Sequence, residues 1–179
     1  MKTLLRSGLV LFMFFSLSEV RKAQAETIAA DLIGYEEVPS VSTVANGDFR
    51  AFINHDDQSI DYELTYSGLQ GTVQQAHIHV AQLSVNGSIV IWLCQTDTTQ
   101  APLAVRTLTP LCPQAGTVTG HITAANVIAG STTTQQLFAG DLAPILAAIR
   151  AGAAYANVHT TPLSPGGEIR GQIHASAKH

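Results

Sequence analysis

The sequence predicts an all-β domain, an antiparallel sandwich or flattened barrel, with one short helix before the last two strands. Three observations carry this. Short alternations of apolar and polar residues recur about eight times, and the cleanest runs over residues 59–66, where Ile60, Tyr62, Leu64 and Tyr66 alternate with Asp61, Glu63 and Thr65. Gly-, Pro- and Asn-Gly-containing turns punctuate these runs. One segment alone, residues 141–151 (DLAPILAAIRA), has a convincing helical period.

The N-terminus has the layout of an export signal. Lys2 and Arg6 precede the apolar run GLVLFMFFSL, and Ala23-Gln24-Ala25 is a small-x-small cleavage site, so a mature chain starting at Glu26 is expected. That run is short for a membrane span, and no later stretch is apolar enough to be one. Residues 26–175 then form one domain, with 176–179 as a flexible tail. The mature chain carries five basic against twelve acidic residues, a net charge of −7 with histidine neutral. An acidic, Lys-poor surface argues against nucleic acid or anionic membrane as partner. A secreted or periplasmic protein that meets an unidentified protein or small ligand is expected.

Along the chain, residues 26–38 are expected as the first strand, ending at the acidic pair Glu36-Glu37, which is expected to face solvent. Asn46-Gly47 predicts a hairpin turn, 48–53 a strand, Asp56-Asp57 a turn and 59–66 the next strand. Gly68 to Thr72 turns the chain into QAHIHV (75–80). Asn86-Gly87 is a second hairpin signal, ahead of the continuous apolar run SIVIWL (88–93), a strand buried on both faces. Cys94 and Cys112, the chain's two cysteines, predict one disulfide that ties a Thr- and Pro-rich excursion. Residues 116–122 (GTVTGHI) form a β-branched strand, and a helical turn follows near 123–128. In the 141–151 helix, Leu142, Ile145, Leu146 and Ile149 make the apolar stripe, and Gly152 ends it.

The last ordered stretch, AYANVHTTPLSPGGEIRGQI (154–173), reads as strand, tight loop, strand. Period-2 sorting puts Tyr155, Asn157 and His159 on one face with Glu168, Arg170 and Gln172, and the apolar residues on the other. In QAHIHV, Gln75, His77 and His79 share a face. The polar sets are expected to point away from the core. His77 and His79, at i and i+2 on a strand, stand about 6–7 Å apart, close enough for two imidazoles to share one ion. His159 is the candidate third ligand, and three imidazoles suit copper or zinc. The alternative is that all three are surface or hydrogen-bonded packing residues. Glu168 and Arg170 are expected as an ion pair, as partners of a neighbouring loop, or, for Glu168, as a residue that orients a ligand histidine. No catalytic residue set is recognisable: there is no nucleophile elbow and no phosphate-cradling glycine loop.

EEVPSV (36–41), AHIHV (76–80) and NVHTTPLSPGGEIRGQ (157–172) together resemble the CHRD domain, which is repeated in chordin and occurs singly in exported bacterial proteins. The resemblance implies a module and no particular activity. More distantly, a His-x-His strand followed by a late Val-His strand and a Gly-rich loop with an Arg is similar to copper–zinc superoxide dismutase. That likeness implies a Greek-key sandwich with copper on His77, His79 and His159 and with Arg170 guiding an anion. No counterpart to that enzyme's metal-bridging histidine or zinc loop is found. Two readings follow: a non-enzymatic extracytoplasmic binding or structural module, and a three-histidine copper-binding protein.

Overall fold

Nine strands and one α-helix make up the fold in the computed structural model, which describes residues 25–162 and 166–175. The strands are β1 (Glu26–Ile33), β2 (Asn46–Ile53), β3 (Ser59–Ser67), β4 (Thr72–Val80), β5 (Ser88–Cys94), β6 (Gly116–Thr123), β7 (Ala154–Thr161), β8 (Ile169–Gln172) and β9 (His174–Ala175). The helix, α1 (Leu142–Arg150), precedes β7. The expected signal segment, apart from Ala25, and the expected tail lie outside the described residues. No helix among the described residues is long and apolar enough to cross a membrane.

All strands join one antiparallel sheet in the order β5-β4-β7-β8-β1-β2-β3-β6, with β9 also paired to β1. Two well-laddered halves meet at a narrow seam, where Ile33 on β1 opposes Arg170 on β8. The halves curl over one apolar core that includes Ile28, Leu32, Phe49, Ile60, Leu64, Ile78, Ile91, Leu93, Ala156, Val158 and Ile169. The sheet is nearly closed: the Tyr62 hydroxyl on β3 donates to the Leu93 carbonyl on β5, at the far edge of the strand order. The expected antiparallel sandwich or flattened barrel is therefore the architecture found. Helix α1 buries Leu142, Ile145, Leu146 and Ile149, as its stripe requires, and Gly152 follows it at φ +68°. The Cys94–Cys112 disulfide is present, with Cα atoms 5.0 Å apart.

Four details differ from the sequence reading. The first strand stops at Ile33, and the chain turns there through a short 3-10 helix. Asn46-Gly47 is not a turn but the start of β2, paired with β1 on one side and β3 on the other. Gly47 serves close approach: a Cβ there would stand 2.8 Å from the Thr65 carbonyl oxygen. The tight turn between β4 and β5 falls at Leu83-Ser84, with Ser84 at φ +59°, and not at Asn86-Gly87. The strands number nine, because the chain breaks at Ile173 before the two-residue β9.

Candidate metal centre

The largest departure from expectation concerns the polar face of β4, β7 and β8. It does not face solvent. His77 is 0% exposed, His79 6%, His159 7% and Arg170 0%, and Asn157, Glu168 and Gln172 are also buried. The inner face of these strands supplies Ala76, Ile78, Ala156, Val158 and Ile169 to the core, so β7 is buried on both faces. Long connections cover the second face. The segment 34–45 brings Glu37 down onto it. The segment 81–87 offers backbone carbonyls to His79, Arg170 and Gln172. The segment 95–115 packs Ala101 and Val105 on Trp92 of β5.

Strand register places the histidines together. Across the β4–β7 ladder, Gln75 opposes His159, His77 opposes Asn157 and His79 opposes Tyr155. On this common face, one ring nitrogen from each of His77, His79 and His159 lies within 4.8 Å of the others. His77 Nδ1 is 3.2 Å from His159 Nε2, which in turn lies 3.1 Å from the Asn157 Oδ1 acceptor. His79 Nδ1–H donates to the Gly87 carbonyl at 3.0 Å, and this bond sets the tautomer and leaves the Nε2 lone pair available. His77 Nε2 and His79 Nε2 are buried and have no hydrogen-bond partner. Asn157 lies near enough to influence His79, but its amide makes no hydrogen bond to that Nε2.

Aromatic rings wall the cluster. Trp92 meets His77 edge-on with ring centroids 4.3 Å apart, and Tyr155 stacks on His79 at 4.6 Å. The Arg170 guanidinium carbon sits 3.4 Å from the Tyr155 ring centroid, a cation–π contact, and its Nη2 donates to the Val85 carbonyl at 3.0 Å.

The electrostatics keep His77 and His79 neutral. Burial holds His77 well below the usual histidine value, with His159 and His79 adding to the effect. Burial likewise takes His79 down to about 4, against a partial pull upward from the Gly87 carbonyl. Neutral imidazole is the ligating form, so His77 and His79 are already in it at pH 7.

Of the two buried acidic residues, Glu37 departs from the expectation, and Glu168 takes the expected role of partner to a neighbouring loop. Glu37, expected to face solvent beside Glu36, is buried. Burial pushes its carboxyl up to about 7, opposed by the Arg170 charge, the nearby Asn157 amide and the Val38 backbone, and its Oε1 has no hydrogen-bond partner. Glu168 forms no ion pair with Arg170 and its hydrogen-bond partners include no histidine. Its carboxylate accepts from Thr43 Oγ1, the Gln70 and Gly71 amides and Thr160 Oγ1. It anchors the 68–71 turn to β7 and β8, while Arg170 anchors the 81–87 segment. Glu37 is the residue the sequence reading missed. A fully buried arginine requires a nearby compensating acid, but nothing in sequence singles out a glutamate 133 positions away.

Three rings at this spacing fit a transition-metal ion. With metal–nitrogen bonds of about 2.0–2.1 Å, trigonal ligand atoms stand about 3.5 Å apart. The ligand atoms here lie within 4.8 Å of one another, so binding would need them to draw in by about 1.3 Å at most. The two unpartnered Nε2 atoms are what such an ion would satisfy.

No curated protein and no solved structure matches the chain. A family model described as the CHRD domain matches residues 28–173, a span that runs from β1 to just short of β9 and includes every residue of the cluster. The chain belongs to the CHRD domain family.

Proposed function

We propose that this protein is an exported, single-domain CHRD module that holds one copper ion on His77, His79 and His159 and acts as a non-enzymatic binding protein outside the cytoplasm. The observation that carries the reading is the convergence of three buried imidazoles, two of which keep an unpartnered Nε2. Imidazole donors suit copper among the first-row metals. Asn157 orients His159, the Gly87 carbonyl orients His79, and Trp92 closes the site beside His77. Export is supported by the basic, apolar and small-x-small pattern of residues 1–25 and by the disulfide, which persists in oxidising compartments.

The test uses Trp92, the chain's one tryptophan. Copper bound to His77 would lie beside its ring and quench its emission, with an end point at one equivalent. His79→Gln and His159→Gln should each weaken that response at least tenfold. Unchanged emission together with no retained copper after dialysis would refute the reading. A second reading, a module that binds a protein or small ligand without metal, is favoured by the exposed Leu103, Leu108 and Leu111 on the disulfide-tied segment. A metal-free result would leave that one standing.

A further inference from the structure

The donor set is unusual in what it lacks. Among the His, Cys, Asp and Glu side chains of the described residues, the converging ligand atoms are three imidazoles. Both cysteines are consumed in the disulfide, which removes thiolate. The two buried carboxylates are not among them: Glu168 accepts from four donors, and Glu37 lies under the Arg170 charge with its Oε1 lacking a hydrogen-bond partner. A fixed positive charge stands close to His79. The Arg170 guanidinium lies against Tyr155, whose ring stacks on His79 at an interplanar angle of 7°. Its charge acts on His79 directly.

We infer that the site selects monovalent copper, Cu(I), over Cu(II) and Zn(II); this rests on the three-histidine reading above. The cost of burying an ion in a low-dielectric site grows with the square of its charge, so a divalent ion costs about four times as much as a monovalent one. Three neutral ligands cancel none of that charge, and Arg170 adds repulsion that is twice as large for the divalent ion. Coordination number points the same way. Cu(II) favours tetragonal sites and Zn(II) four ligands, so both need a fourth donor. Among the described residues no cysteine, carboxylate or further histidine joins the cluster, the Asn157 side-chain oxygen is taken by His159, and Trp92 and Tyr155 occupy its flanks. Three imidazoles near trigonal spacing complete the coordination of Cu(I) without water.

The experiment measures selectivity on the unmodified mature protein at pH 7. Cu(I) is supplied anaerobically from a chromogenic Cu(I) chelator, and Cu(II) and Zn(II) from buffered solutions, each read as metal retained per chain. One Cu(I) per chain, held at least ~100-fold more tightly than Zn(II) and without a stoichiometric Cu(II) paramagnetic signal, is the expected result. His77→Gln, His79→Gln and His159→Gln should each lose Cu(I), and the exposed His121→Gln should retain it; circular dichroism checks that each variant is folded. Equal or tighter retention of Cu(II) or Zn(II) overturns the selectivity while leaving a metal centre in place. Retention of no metal in any form overturns this inference and the proposed function together.

Discussion

Replacing Glu168 by Gln tests whether the buried face is held by its hydrogen bonds. The carboxylate is 1% exposed and accepts four bonds, two on each oxygen. Each oxygen takes one backbone amide, Gln70 on Oε1 and Gly71 on Oε2, and one threonine hydroxyl, Thr43 on Oε1 and Thr160 on Oε2. Whichever way a glutamine amide turns, its NH2 must face one of those backbone N–H groups. The hydroxyl on that side can rotate to accept, but the backbone N–H cannot. An unsatisfied buried donor costs about 1–3 kcal/mol, and the remaining bonds lose their charge assistance, so the variant should be destabilised by about 3–4 kcal/mol. For an m-value near 2 kcal/mol/M, the urea midpoint falls by about 1.5–2 M. The pH dependence supplies a second check. Burial alone would raise the Glu168 carboxyl, but its four donors outweigh that and hold it below its ordinary value. A depressed carboxylate contributes stability above its unfolded pKa of 4.5 and loses it as pH falls through the folded value. The gap between wild type and Glu168→Gln should therefore close below pH 4.5. A midpoint shift under 0.5 M at pH 7, about 1 kcal/mol at that slope, would refute the reasoning.

Gly167→Ala places a Cβ 2.2 Å from Glu37 Oε1 at a residue with φ +131°, so it should displace the Glu37 carboxyl and cost about 2–4 kcal/mol by thermal unfolding; a variant as stable as wild type would show that the Glu37 contact is dispensable. The His79 value, depressed from 6.5 to about 4, gives stability that is present above pH 6.5 and lost as pH falls toward 4, roughly 3 kcal/mol in all. Glu37 acts in the opposite sense: raised from 4.5 to about 7, its contribution is present below pH 4.5 and lost as pH rises through 7. Urea unfolding across this range should therefore give a steeper alkaline rise for Glu37→Gln and a flatter one for His79→Gln than for wild type; parallel profiles would refute both assignments. Opening the Cys94–Cys112 loop, with its sequence separation of 18, by Cys94→Ser/Cys112→Ser should cost about 3 kcal/mol, read as a lower urea midpoint.

Local pattern made most of the strands legible. The alternation in 59–66 and the apolar stripe of the helix appear in β3 and α1 with the buried residues those patterns assign. What local pattern could not supply was the second layer over β4, β7 and β8. Alternating polar residues on a strand ordinarily mark a solvated face, and the pattern assigns His77, Asn157, His159 and Arg170 to one. The structure covers them with segments whose contacts span most of the chain, from Glu37 to Arg170 and from Gln70 to Glu168. The Asn46-Gly47 signal failed for a related reason. Turn propensity is local, but the need for a glycine at position 47 comes from β3 and from Ile169 of β8. The histidine set was legible because its spacing survives in the strand register, whereas Glu37 has no local signature. A retrospective signal exists in Arg170, a cation between apolar strand neighbours, which calls for a compensating partner without saying which one.

The most direct test of the copper assignment is the copper and zinc content of the mature protein purified from its native compartment, beside a His77→Gln/His79→Gln/His159→Gln variant. The account predicts about one copper per chain, little zinc, and no bound metal in a variant that remains folded. Stoichiometric zinc in place of copper, copper retained by the variant, or no metal in either protein would contradict it.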